Sequence, residues 1–110
     1  MAEITITNQK LVDIWEGLSR LGKQKRLDGL PIGNEKFKWG VARNKKLLEN
    51  DRILLSDRAV KLDAPQQQEL LKATLGVRIH RIEMDDVPPE VSPEDRFFFW
   101  EFWEMHEPTA

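Results

Sequence analysis

The chain of 110 residues contains no cysteine, which excludes disulfides, thiolate nucleophiles and thiolate metal sites. It has only two histidines, His80 and His106, with no HExxH-type spacing, so no metal site is expected. No Gly-x-Ser-x-Gly elbow occurs, and Gly29 and Gly33 do not make a phosphate loop. Asp85 and Asp86 lack the oxygen spacing and glycine of a calcium loop. Glu83, Asp85, Glu90 and Glu94 could supply a carboxylate pair, but acids are so frequent here that pairing alone singles none of them out. The reading is therefore non-catalytic, with no cofactor. Charged residues make up 33% of the chain, which leaves no run apolar enough to span a membrane, while 40% apolar residues argue against wholesale disorder. Met1-Ala2-Glu3-Ile4-Thr5-Ile6 lacks the basic and apolar regions of a secretory leader, so a cytoplasmic protein is expected. The length suits one domain spanning residues 1–110.

What the chain does have is a lopsided arrangement of charge and rings. Its net charge of −2 hides a basic stretch from Arg20 to Lys46 and an acidic one from Glu83 to Ala110. Arg96 is the only base in the acidic stretch. Opposite halves of this kind dock on each other, within or between chains, or face different partners. Six of the nine aromatic residues crowd into the acidic end: Phe97, Phe98, Phe99, Trp100, Phe102 and Trp103. The others are Trp15, Phe37 and Trp39.

Ile4 and Ile6 alternate with polar residues and predict a short strand. Thr7 or Asn8 then caps a helix whose apolar face is Leu11, Ile14, Trp15, Leu18 and Leu21, with Gly22 placed to close it in a left-handed conformation. Residues 22–33 read as a basic loop. Asn34 caps a long helix free of proline until Pro65. Val41, Leu48 and Leu55 form one stripe and Leu47 with Leu54 its neighbour, spaced for antiparallel packing on another helix. Gly40 marks a close helix contact, Asn44 and Asp51 lie near the seam, and Ser56-Asp57 is a possible break. A short third helix starts at Asp63 or Ala64, buries Leu70, Leu71 and Leu75, and ends before Gly76. Val77 to Met84 reads as a strand whose apolar phase flips, suggesting a bulge or two covered faces. Ile4 to Thr7 is its evident partner. After Pro88-Pro89, a last helix opens with Ser92 as cap and Pro93 in its first position, and is expected to run to about His106.

On that last helix Met105, Phe98, Phe102, Phe99, Trp103 and Trp100 would span roughly 220° of arc, with Phe97 among the glutamates of the remainder, whereas one core contact needs little more than about 100°. The excess predicts burial on two sides, in the monomer or against another chain. The acidic flanks speak against anionic lipid surfaces. Phe97/Phe99 and Phe98/Trp100/Phe102 also alternate, so a strand stays open. Cations at Lys23, Lys25, Arg26, Lys36 and Arg43, with Phe37 and Trp39 among them, offer a second hypothesis: binding of nucleic acid or a small anionic ligand such as a nucleotide. No helix-turn-helix, zinc-finger or RNP signature accompanies them.

Several residues carry a family resemblance. The leucine-patterned first helix (Leu11, Ile14, Leu18, Leu21), Leu30-Pro31, Lys36-Phe37-x-Trp39 and Ala42-Arg43-Asn44 together resemble small phage and prophage proteins of unknown function, over about residues 8–55. The resemblance implies phage origin and an accessory or structural role in an infected cell, and no catalytic residue. The aromatic end departs from that pattern.

The expectation is a mostly α protein with minor β. It has an antiparallel helical core with a long central helix (residues 8–62), a short helix and strand forming a small two-stranded ribbon with the first strand (63–87), and an acidic segment with a C-terminal aromatic helix (88–110). Its expected function is a non-catalytic interaction module, a phage-encoded accessory protein that self-associates or binds and blocks a host protein. Phe98, Phe99, Trp100, Phe102 and Trp103 are the expected contacts. The alternative is an anion or nucleic-acid binder using Lys23, Lys25, Arg26, Lys36 and Arg43.

Overall fold

The computed structural model describes residues 2–104. Strand β1 (Ala2–Thr7) runs into helix α1 (Asn8–Lys23) without a loop, because Thr7 serves both. Its hydroxyl accepts from the Lys10 N–H at 3.1 Å, satisfying a donor that the first helical turn leaves unpaired. Asn8 is buried and ties the start of α1 to a later helix, its side-chain amide donating to the Leu70 carbonyl at 2.7 Å. Leu11, Ile14, Leu18 and Leu21 are buried as their spacing predicts. Trp15 is only half-buried, lying under Lys45 and Arg52 of the next helix. Gly22 does not close α1. The helix continues one residue further, and Gln24 ends it in an extended conformation.

The basic loop is ordered by its own bonds, including Arg26 N–H to the Leu30 carbonyl at 2.7 Å and an Arg26–Asp28 ion pair. Gly29 and Gly33 both adopt φ +83°, which side chains resist. Asn34 then caps helix α2 (Glu35–Ala59), accepting from the Phe37 N–H at 2.9 Å. α2 lies antiparallel on α1, since Val41 neighbours Gly22 while Arg52 reaches Trp15. Phe37, Val41, Asn44, Leu48 and Leu55 form its buried stripe. The second expected stripe is not there: Leu54 faces water and Leu47 is half-buried, because α1 covers only one side. The helix passes Ser56-Asp57 unbroken.

Asp63 and Gln66 form a reciprocal capping box at the start of helix α3 (Ala64–Lys72). Gln67 reaches back to the Ala59 and Leu62 carbonyls and closes the end of α2. α3 stops before the expected Gly76, which instead lies in strand β2 (Thr74–Ile79) opposite Thr5. β2 pairs antiparallel with β1 along its length, so the two-stranded ribbon joins the ends of the helical hairpin.

The phase flip after Ile79 has a physical cause. Asn44 is completely buried, and its side-chain amide mimics a strand: Nδ2 donates to the His80 carbonyl at 2.8 Å and Oδ1 accepts from the His80 N–H at 2.6 Å. That clamp ends β2 and turns the chain, so the expected single strand becomes two. Ile82–Glu83 (β3) pairs parallel with Trp103–Glu104 (β4) in a second small ribbon. Gly40 does mark a close approach, but to β3 rather than to a helix. A methyl group there would stand 2.5 Å from Ile82 Cγ1.

Helix α4 (Pro93–Phe98) starts as expected, with the Ser92 hydroxyl accepting from the Asp95 N–H. It does not run to His106, which lies outside the described residues along with Met105. Phe99 leaves helical geometry at φ −96°, ψ 21°, and residues 100–102 form a tight 3-10 turn into β4. The Trp103 indole N–H donates to the Arg96 carbonyl at 2.8 Å, a group that a continuing helix would offer to the Trp100 N–H. Phe99 closes the core on α1, where Gly17 makes room: a methyl at Gly17 would meet the ring at 2.6 Å. The fold is mostly α with minor β and an aromatic cluster at its C-terminal end.

Candidate functional site

The rings expected to form a contact surface divide sharply. Phe99 is 1% exposed, and Phe102 and Trp103 are also buried, all three belonging to the core. They meet edge to face, with ring centres 5.8 Å apart for Phe99–Phe102 and 6.2 Å for Phe99–Trp103. These three are therefore corrected from contact residues to core residues. Phe98 is half-buried, edge-on to Phe99 and covered by the Lys10 ammonium 3.9 Å from its ring centre. Trp100 alone of the five is open to water, at 63% exposure, and Phe97 joins it at 80%. Residue number does not separate these groups. Phe97 lies on the open side of α4, and the tight turn that follows leaves Trp100 outside as well, both away from the side that α1 covers.

The opposed charges of the two halves meet at this segment. Arg20 of α1 donates to both Asp95 oxygens at 2.8 Å. The hydrogen bonds from Arg20 hold the Asp95 carboxyl below the usual aspartate range, partial burial opposing them, and the Arg20 guanidinium is held above its ordinary value by the same bonds. Arg96, the lone base among the acids, is turned inward, donating to the Val91 and Pro88 carbonyls.

The five cations of the alternative reading do not form one site. Lys23 ends α1, Lys25 and Arg26 stand on the ordered loop, and Arg26 is paired with Asp28 at 3.0 Å. Only Lys36 and Arg43 come together, on either side of Trp39 on α2. Glu35, Lys36 and Trp39 line one wall of a cleft of about 660 Å³, whose other wall is residues 80–83 with Asp86 and Glu104. Trp39 is 54% exposed. The Arg43 guanidinium lies 5.2 Å from its ring centre, and the His80 ring meets it edge-on at 4.8 Å. Partial burial, then the nearby Arg43 charge, push the His80 imidazole below its ordinary value, so the neutral form is favoured. Asp86 accepts from the Asn34 amide at 2.9 Å, and Glu35 is paired with Lys38.

Sequence reasoning missed this cleft because its walls are distant in the chain. The available signals were Gly40, the phase flip after Ile79 and the polar Asn44 on an apolar face, which together report a strand crossing α2. Among the described residues no group of three or more His, Asp or Glu is placed to hold a metal ion. No helix among them is long and apolar enough to cross a membrane. No protein-family model matches the chain, and neither curated proteins nor solved structures yield a match.

Proposed function

We propose that the protein is a non-catalytic interaction module whose contact surface is the outer side of the C-terminal turn, centred on Phe97 and Trp100. The observation that carries this reading is the exposure of two large rings, 80% and 63%, on a segment whose Phe99, Phe102 and Trp103 rings are fixed in the core. Each such ring offers about 150–250 Å² of apolar area on a turn that is already ordered. Rigid aromatic anchors of this kind dominate protein interfaces. Glu94 and Glu101 flank the rings, so the surface suits a partner that is basic around an apolar pocket. The partner is a second copy of the chain or, in line with the resemblance to small phage proteins, a host protein that this accessory protein binds and blocks.

The test uses Phe97→Ser/Trp100→Ser beside the wild type. Light scattering on a sizing column reads self-association, and capture from a host lysate reads a foreign partner. The reading expects at least one complex, weakened by salt and lost in the double variant at unchanged helix content. Complexes that persist in the variant, or a wild type that is monomeric and captures nothing, would overturn it.

A further inference from the structure

The outward face of α2 presents Lys36, Trp39, Arg43, Lys46 and Asn50, all exposed, at alternating steps of three and four residues. Such steps place them in one line along a helix, about 21 Å long at about 1.5 Å per residue. No carboxylate lies on that line, in a chain whose net charge is −2. Arg81, from the bend that Asn44 imposes after β2, lines the cleft with Lys36 and Trp39 and adds a fourth cation. Lys36, Lys46 and Arg81 make no ion pair among the described residues.

We infer that this face binds single-stranded nucleic acid, one base stacking on Trp39 in the cleft and the phosphates following Lys36, Arg43 and Lys46 along α2, with Arg81 at the cleft mouth. A π surface interleaved with cations along a line is what sequence-tolerant strand binding requires. A single ring beside an open cleft receives an unstacked base, which a duplex does not offer. The Trp39 ring is held in place, since the His80 ring packs at right angles to it and Asn44 fixes the His80 backbone from the core. The Arg43 guanidinium lies over the ring, where it can share a stacked base's phosphate. The far wall distinguishes a nucleic acid from an acidic peptide. Glu83, Asp86 and Glu104 line it. They would repel an acidic side chain or a phosphate entering the cleft, which keeps the phosphates on the α2 line, whereas Asp86 and Glu104 can accept hydrogen bonds from the amino groups on a base edge that enters it.

The probe is a fluorescein-labelled single-stranded DNA of mixed sequence, about 20 nucleotides long, which exceeds one site of this type. Fluorescence anisotropy at about 50 mM salt is expected to show binding that falls steeply by about 200 mM. Trp39→Ala should weaken it about tenfold or more. Lys36→Ala/Lys46→Ala should reduce the slope of log affinity against log salt by about 0.7 for each cation removed. Lys25→Ala/Arg26→Ala, on the distant loop, should leave the affinity within about twofold if these contacts stay on α2. Circular dichroism checks that Trp39→Ala stays folded. No binding at low salt would overturn the proposal, as would equal affinity in Trp39→Ala, equal affinity for the matching duplex, or equal competition by free AMP. Phe97→Ser/Trp100→Ser should bind the strand like the wild type, so failure here and failure of the protein-contact reading are separately visible.

Discussion

Residues 97–103 carry six rings in seven positions, yet only Phe97 and Trp100 face water, while Trp39 stands apart among cations and is more than half exposed. The difference follows from what each region has to cover. The α1–α2 hairpin buries a single aromatic ring of its own, Phe37, and the middle of α1 offers bare backbone at Gly17. The short segment after Pro88-Pro89 has to fill that space with few residues, so it does so with large ones, and Phe99, Phe102 and Trp103 become core. α2 needs no ring at position 39 for packing, because Phe37, Val41 and Asn44 already occupy its inner side. A dense run of rings therefore marks closure of the fold, and an isolated ring beside cations marks an open surface.

The largest effect that would break this comparison is loss of a closing ring. Phe99→Ala should destabilise the protein by about 3–5 kcal/mol in urea unfolding, whereas Phe97→Ala should stay within about 0.5 kcal/mol of wild type. Comparable costs at the two positions would mean the segment is not divided between core and surface.

Asn44 connects the two regions, since it turns the chain toward the cleft and sets the level at which β3 meets β4. Asn44→Ala leaves the His80 N–H and carbonyl without partners, at about 1–3 kcal/mol for each group. It should cost about 2–4 kcal/mol in total and should shift Trp39 emission, because the His80 brace moves with the backbone. An unchanged unfolding midpoint would show that the clamp is not formed.

The smallest effects are electrostatic. The lowered pKa of Asp95 means that the folded protein gives up this proton more readily than the unfolded chain. Its contribution is present above the ordinary aspartate value near 3.8 and is lost as pH falls through the lowered value. His80 is likewise lowered, from 6.5. Stability should therefore fall as pH drops from about 6.5 toward that lowered value, as the unfolded imidazole takes up its proton first. Urea midpoints should show both steps in the wild type. His80→Gln should lose the near-neutral step, and Asp95→Asn the acid one, together with about 1 kcal/mol at pH 7, since Arg20 is mostly exposed.

Much of this organisation was legible in the residues. β1, the buried face of α1, the Asn34 and Ser92 caps and the pairing of β1 with β2 all follow from period, cap chemistry and the shortage of alternative strands. What was not legible depends on non-local partners. Gly40 reports that something comes close, but not that it is Ile82, and no pattern in the residues marks Gly17 as the place where Phe99 packs. The end of α4 is decided by the Trp103 indole taking the Arg96 carbonyl and by β3 pairing with residues 103–104, neither of which has a local signature. Periodicity placed the rings on an arc without saying which part of it α1 would cover. Leu54 fails for the same reason: its spacing was right, but no element lies over it.

Single-tryptophan proteins test the division most directly. With the other three tryptophans changed to phenylalanine, acrylamide quenching reads the exposure of one indole at a time. Trp100 and Trp39 should each be quenched readily with emission shifted toward that of free indole in water, while Trp103 should be protected and blue-shifted. A Trp103 as accessible as Trp100 would contradict the assignment of the C-terminal rings to core and surface.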